Sequence, residues 1–120
     1  MKKKLLFVIT HSVDAPDRAA AALAIANSAV SGGRDAAIFA LNEGALLLKK
    51  GFAETITDQK AFPPIKELLE TLVEAGQRFY ICSTCAKQYE IGEEDLLPNT
   101  EMSGALTLLD LMETRETVTF

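Results

Sequence analysis

The sequence predicts a single α/β domain in which helices cover both faces of a mostly parallel sheet. Short apolar segments of strand length alternate with helix-like segments along the chain, as is typical of βαβ units. The apolar segments are almost uniformly hydrophobic, which favours strands buried on both faces. The length of 120 residues suits one domain, residues 1–120. Together these observations predict a three-layer, flavodoxin-like sandwich.

The first strand and helix have the clearest pattern. Residues 5–10 are a compact apolar run and form the first predicted strand. Residues 18–30 are rich in alanine, which has the highest helix propensity. We expect Asp14 to cap this helix and Gly32-Gly33 to end it.

The remaining segments continue the alternation. Asn42-Glu43-Gly44 supplies turn residues after the second strand, and Pro63-Pro64 begins a long helix. We expect further strands at residues 35–41, 78–81, 100–102 and 116–120, helices at residues 45–50, 63–75, 86–90 and 103–112, and one helical turn at residues 93–97.

Charge excludes several classes of partner. Lys plus Arg number 12 and Asp plus Glu number 17, which gives a net charge of −5 and a pI near 4.8. An acidic domain lacks the basic face that nucleic acid or an anionic membrane requires. The apolar run after Lys2-Lys3-Lys4 is too short for a secretory signal. We therefore expect a cytoplasmic protein that binds neither nucleic acid nor a membrane.

The cysteine count argues against a disulfide scaffold and against zinc. Cys82 and Cys85 are the two cysteines, whereas disulfide-rich domains use more. A structural zinc ion normally takes four ligands, and His11 is the one histidine that could join the thiols. Glycine-rich phosphate-binding motifs are missing from the sequence. We expect neither a metal nor a cofactor.

The segment Cys82-Ser83-Thr84-Cys85 is the strongest candidate for chemistry. It lies where a buried strand gives way to a helix. Free N–H groups and the positive end of a helix dipole favour the thiolate, which attacks disulfides and persulfides. Ser83 and Thr84 are auxiliary candidates between the thiols. The alternative is that the cysteines, Cys85 above all, are small buried hydrophobic residues.

His11 follows the first strand and is a second candidate. It is a possible general base, or a group that lowers a thiol pKa across the sheet edge. The alternative is an exposed loop histidine without a role. In parallel α/β folds, functional groups gather beyond the carboxyl ends of the strands, so this loop and the cysteine loop lie at the same edge.

Several short patterns occur in a particular order. They are Asp14-x-x-Asp17-Arg18-Ala19, Phe39-x-x-x-x-Gly44-x-x-Leu47-Leu48, Gly76-x-x-Phe79-x-Ile81-Cys82 followed by Cys85 and Ile91, Ser103-Gly104, and Val118-Thr119-Phe120. In these patterns the chain resembles, over nearly its whole length, the DsrE/DsrF-like family, which includes the DsrE and TusD sulfur-carrier subunits.

The resemblance implies that Cys82 carries a persulfide and passes its sulfur to a protein partner. It also implies a flavodoxin-like fold and assembly into homo-trimers, hexamers or hetero-oligomers with related subunits. Cys85 departs from the single-cysteine carriers, because a second thiol is able to resolve a persulfide into a disulfide. Two alternatives remain: a thiol-disulfide redox protein that uses Cys82 and Cys85, and a non-catalytic oligomeric binding module.

Overall fold

The computed structural model describes residues 2–120, which form one five-stranded sheet and four α-helices. The strands are β1 (Lys4–Ile9), β2 (Asp35–Ala40), β3 (Phe79–Cys82), β4 (Thr100–Ser103) and β5 (Glu116–Thr119). The helices are α1 (Pro16–Ser31), α2 (Ile65–Glu74), α3 (Ser83–Gln88) and α4 (Ala105–Thr114). Short 3₁₀ segments occur at Asn42–Leu48, Ala53–Thr55 and Glu93–Asp95.

All five strands of the sheet run parallel, in the order β4-β3-β2-β1-β5. The register pairs Leu6 with Ala37 across β1 and β2, and Ile81 with Met102 across β3 and β4. The predicted α/β class and parallel sheet are therefore confirmed.

Side chains alternate between the two faces of the sheet and build two apolar layers. The larger layer contains side chains of α1, α2 and α3 packed on one face. Its alanines, among them Ala19, Ala22 and Ala26, are fully buried, and their small size lets α1 lie close to the strands. The smaller layer lies on the opposite face, where Leu108 and Leu111 of α4 pack against a small cluster.

This division of helices follows from the strand order. The chain moves in one direction across the sheet from β1 to β4, and then returns across it to β5. Since parallel crossovers are right-handed, the reversal places the last helix on the opposite face from the earlier ones. The connections leaving β3 and β4 therefore pass to opposite faces at the carboxyl ends of these two strands, the position at which parallel α/β folds commonly bind ligands.

The end of α4 and the start of β5 are tied to the centre of the sheet by Arg115. Its guanidinium donates hydrogen bonds to the Leu5 carbonyl at 3.1 Å and to the Asp35 carboxylate at 2.9 Å. The Arg115 side chain is only 11% exposed, whereas the Asp35 side chain is 42% exposed, so the contact is buried on the arginine side and open to solvent on the carboxylate side. The contact fixes where α4 lies relative to β1 and β2.

The predicted cap of α1 is wrong. Ala15 occupies the capping position and makes no side-chain cap. The Asp14 carboxylate instead accepts hydrogen bonds from the Ser12 backbone N–H at 2.9 Å and from the His11 ring at 2.6 Å. Asp14 is one residue too far from the helix, and short Asp side chains readily bond to their own loop.

Two helix boundaries also differ from prediction. Helix α3 begins at Ser83 rather than at residue 86, because Cys82 takes the capping position directly after β3. The helix expected at residues 45–50 is a 3₁₀ segment that begins earlier, at Asn42. As a result, Asn42, Ser83 and Thr84, which lie near the thiols, belong to helical segments and not to loops. Across residues 2–120, no helix has the length and apolar character needed to cross a membrane.

Candidate thiol site

Cys82 lies at the carboxyl edge of the sheet, where the connections leaving β3 and β4 pass to opposite faces. Cys82 ends β3 and is opposite Ser103, the last residue of β4. Its side chain is half-buried and packs against the smaller apolar layer, on the α4 face. The thiol is therefore held by apolar contacts while part of it faces solvent.

Cys82 also occupies the capping position of α3, but its side chain makes no hydrogen bond to that helix. The sequence led us to expect bonds from the first N–H groups of the helix to this sulfur. The structure instead places a backbone N–H on the other thiol. The Cys82 sulfur thus stays available to a reaction partner.

Cys85 lies in the first turn of α3 and packs on the opposite side of the sheet edge, against the larger apolar layer. The Asn42 N–H donates a hydrogen bond to its sulfur, with an N–S distance of 3.1 Å. The Cys85 thiol also has an acceptor of its own, Asn42 Oδ1 at 3.8 Å. The two thiols predicted from the motif are therefore brought together.

The Asn42 loop owes its position to Gly44. Asn42 has a φ of 51°, in the left-handed region that Asn tolerates better than most residues. Two residues later, Gly44 is buried against the end of β1, and a Cβ there would overlap the Ile9 carbonyl oxygen. Glycine is thus required for close approach and not only for turn formation. This contact sets the distance between Asn42 and Cys85.

The surroundings of Cys85 keep its thiol protonated. Burial is the largest influence and raises the pKa of Cys85, and the neighbouring Cys82 raises it further through a hydrogen bond and through its charge. The Asn42 N–H acts in the opposite direction but does not outweigh them. Cys85 therefore stays protonated to a higher pH than an ordinary cysteine does.

His11 does not contact either thiol. Its Nδ1 lies 2.6 Å from the Asp14 carboxylate. Burial alone would raise the pKa of Asp14, but the hydrogen bonds from His11 and Ser12 lower it below its usual value. His11 is thus the partner of a charged carboxylate at the same sheet edge, and its predicted action on a thiol pKa has no direct contact to support it.

An open depression lies beside Cys85. It has a volume of about 420 Å³ and is lined by Asn42, Thr84, Cys85, Gln88 and Tyr89. Tyr89 Oη donates to Glu43 Oε1 at 3.4 Å, and partial burial together with the charge of Glu43 raises the pKa of this phenol. Of the two auxiliary candidates, Thr84 lines this depression, and Ser83 is an exposed residue in the same helical turn.

The site contains residues that sequence reasoning missed. Asn42 contributes its backbone N–H to the site, and the type of side chain does not reveal where a backbone group will point. Glu43 and Tyr89 come together from separate segments of the chain, 46 positions apart. Within residues 2–120, no group of three His, Cys, Asp or Glu side chains has the arrangement to hold a metal ion. The chemistry that these residues can perform is that of two neighbouring thiols.

Fold and site together define a small parallel α/β protein with a dithiol at the switch point of its sheet. The chain belongs to the DsrE/DsrF-like family, whose sequence model matches residues 3–120. The predicted family is thereby confirmed.

Similar proteins have been found in archaea and bacteria. An uncharacterized protein of Methanopyrus kandleri, MK0008, is 29% identical over 113 residues, which cover 94% of this chain and 89% of that protein. The crystal structure of the ychN protein from E. coli superposes with a TM-score of 0.71 at 17% identity and covers 100% of both chains. MTH1491 from Methanobacterium thermoautotrophicum, of unknown function, gives a TM-score of 0.68 at 17% identity, with 99% of this chain and 100% of that chain covered. The two structures share the fold.

Proposed function

We propose that this protein is a persulfide carrier in which Cys82 accepts sulfane sulfur and passes it to a protein acceptor. The observation that carries the proposal is the placement of a half-buried thiol at the carboxyl end of β3, at the edge of the sheet where the connections to its two faces diverge. Membership in the DsrE/DsrF-like family, which is associated with sulfur relay, supports the same activity.

The transfer step needs a thiolate and a stabilised product. The Cys82 thiolate attacks the outer sulfur of a donor persulfide, so that a new S–S bond forms on Cys82 and the donor's own S–S bond breaks. The donor cysteine leaves as a thiolate and takes up a proton from solvent. An acceptor thiolate then removes the outer sulfur in the same way and returns Cys82 to its starting state.

The neighbouring groups suit this role. Cys85 follows Cys82 by three residues in the first turn of α3, and the nearness of Cys82 contributes to the raised pKa of Cys85. Cys82 also precedes the free N–H groups of the first turn of α3. The activity is sulfurtransferase-like, and this chain's own contribution is to hold and present the sulfur.

The proposal extends to partners and location. The sulfur donor and the sulfur acceptor are proteins, and the carrier is a cytoplasmic homo-trimer, hexamer or hetero-oligomer with related subunits. The acidic net charge of −5 favours partners with a basic docking surface.

The test is sulfur loading by a cysteine desulfurase with cysteine as substrate, followed by non-reducing mass spectrometry. Cys85→Ser and Cys82→Ser are the matched variants, since each keeps one thiol. We expect Cys85→Ser to gain the mass of one sulfur atom on Cys82, and Cys82→Ser to gain none. Loading of Cys82→Ser on Cys85 at the rate of the unchanged protein would contradict the proposed roles.

A further inference from the structure

The separation of the two thiols suits a disulfide. Cys82 is the capping residue of α3 and Cys85 is the third residue of that helix. Residues three positions apart on a helix have Cβ atoms about 5–6 Å apart. A small adjustment brings them into the range that a disulfide needs, about 3.5–4.5 Å between Cβ atoms. Cys82 also contributes to the raised pKa of Cys85, as a neighbouring thiol does.

Cys85 does not have the surroundings of an inert core cysteine. An inert cysteine would be fully buried among apolar side chains. Cys85 is instead partly exposed, lines the open depression, and is held from one side by the Asn42 N–H and amide oxygen. The left-handed backbone of Asn42 and the close approach at Gly44 are the local constraints that keep this N–H aimed at the sulfur.

We propose that Cys85 is a resolving thiol that limits the lifetime of a persulfide on Cys82 by forming a Cys82–Cys85 disulfide and releasing sulfide. This inference rests on the proposed function. The Cys85 sulfur attacks the inner sulfur, Cys82 Sγ, and the bond between the two persulfide sulfurs breaks. The outer sulfur leaves with the electron pair of that bond and the proton of Cys85, as hydrosulfide. Two thiol sulfurs are oxidised to a disulfide while the sulfane sulfur is reduced to sulfide.

The disulfide must be reduced before another cycle begins, and the reductant is a dithiol, either a protein or a small molecule. Its thiolate attacks Cys85, and its second thiol then releases both cysteines as the dithiol becomes oxidised. The depression beside Cys85 gives such a reductant access to this sulfur. The two cysteines then have different roles. Cys82 carries the sulfur, and Cys85 converts a persulfide that has not been passed to an acceptor into a disulfide and sulfide.

The experiment follows the fate of the loaded sulfur. The full chain and Cys85→Ser are loaded with the desulfurase, freed from it, and held without reductant. Mass spectrometry and sulfide release are then measured over time. The unchanged protein is expected to lose its extra sulfur, become two hydrogen atoms lighter than the reduced chain, and release one sulfide per disulfide. Cys85→Ser is expected to keep its persulfide at least about tenfold longer, since a thiol held in place acts at a high effective concentration.

The outcomes separate the two proposals. Equal persulfide lifetimes in both proteins, with no disulfide, would overturn the resolving role and leave Cys82 as a carrier. Failure of both proteins to load Cys82 would overturn the carrier and the resolving thiol together. Cys85→Ala serves as a second variant, and circular dichroism of each variant establishes that a difference in lifetime does not reflect unfolding.

Discussion

Cys82 and Cys85 have the same side chain, yet they pack on opposite sides of one sheet edge. Cys82 packs with the smaller apolar layer, and Cys85 packs with the larger one and with Asn42. The difference gives them unequal surroundings, because Cys85 has a raised pKa and accepts a hydrogen bond from the Asn42 N–H, whereas Cys82 makes no hydrogen bond to the helix that it precedes. The motif predicts the pair, but only the folded surroundings distinguish its members.

Removal of Cys82 is expected to make Cys85 react faster. The charge and hydrogen bond of Cys82 both raise the pKa of Cys85. A raised pKa lowers the thiolate fraction at any pH below it, so in the unchanged protein Cys85 alkylates only as the pH rises into the alkaline range. In Cys82→Ser the pKa falls toward the value set by burial alone, and the whole curve of rate against pH moves to lower pH.

The measurement is the rate of iodoacetamide labelling at Cys85 against pH, located by tandem mass spectrometry. The same variant unfolded in urea is the control, since its thiol has the ordinary pKa. An identical curve for Cys85 with and without Cys82 would show that the two thiols do not interact.

Asn42 and Asp14 show the limits of residue-level prediction. The sequence identifies Asn42 as a turn residue, which its left-handed backbone confirms, but a backbone N–H aimed at a distant sulfur leaves no pattern in the side chains. Asp14 is a suitable residue type for a helix cap. Its carboxylate bonds instead to His11 and Ser12, because these partners lie within its own loop.

The loop after β2 is the element that links the two halves of the site. Gly44 fits against Ile9 at the end of β1, and this contact positions Asn42 beside Cys85. The sequence explains Gly44 by turn chemistry alone, because nothing in a single chain shows which backbone will lie against it. The close approach depends on the pairing of β1 with β2.

Gly44→Ala is expected to lower the free energy of unfolding by about 1–3 kcal/mol, the usual cost of forcing extra volume into a packed position. The new Cβ displaces the loop, and the Asn42 N–H moves away from the Cys85 sulfur. Denaturant unfolding measures the first effect, and the labelling curve of Cys85 measures the second.

Gly104→Ala is the matched control for this change. A Cβ at Gly104 meets no atom within 4 Å, and its φ of −111° is open to any residue. We expect a change of less than about 1 kcal/mol there, in keeping with exposed surface positions. Equal destabilisation by the two changes would show that the approach to Ile9 does not matter.

The elements themselves were predictable to different degrees. Strands β1, β2 and β3 follow from apolar runs, whereas β4 and β5 are short and mostly polar. Helices α1 and α2 follow from alanine content and from periodic leucines. The start of α3 was not predictable, because Ser83 and Thr84 suit a loop as well as a first helical turn. Composition thus predicts the type of each element, whereas its exact boundary depends on the residue that takes the capping position.

At the scale of the whole molecule, the strand order determines where the site lies. Alternating strands and helices predict a parallel sheet and a site at its carboxyl edge. They do not predict that the chain reverses after β4, since that order depends on long-range packing. The reversal sends the connections beside Cys82 to opposite faces and leaves α4 as the helix that covers its face of the sheet.

Helix α4 covers that face incompletely, and this leads to a prediction about assembly. None of its residues is fully buried, and Leu106, Leu109 and Met112 are 78%, 53% and 44% exposed. Apolar side chains grouped on one helix mark a surface for association. We expect the homo-oligomer to form through α4, with Cys82 close to the buried surface because its side chain packs on the same face.

Light scattering during size-exclusion chromatography tests this arrangement. Replacing Leu106 and Leu109 together by Glu puts charges into the proposed contact, whose desolvation opposes association, so the mass should fall to that of one 13.0 kDa chain. Ile25→Glu is the control, because this α1 residue, at 49%, is exposed to nearly the same degree as Leu109 but lies on a helix of the opposite face. A monomeric unchanged protein, or an oligomer that survives the double change, would place the association elsewhere. If α4 is the contact, loading of Cys82 should respond to the double change and not to the control, because a partner's α4 then lies next to the thiol.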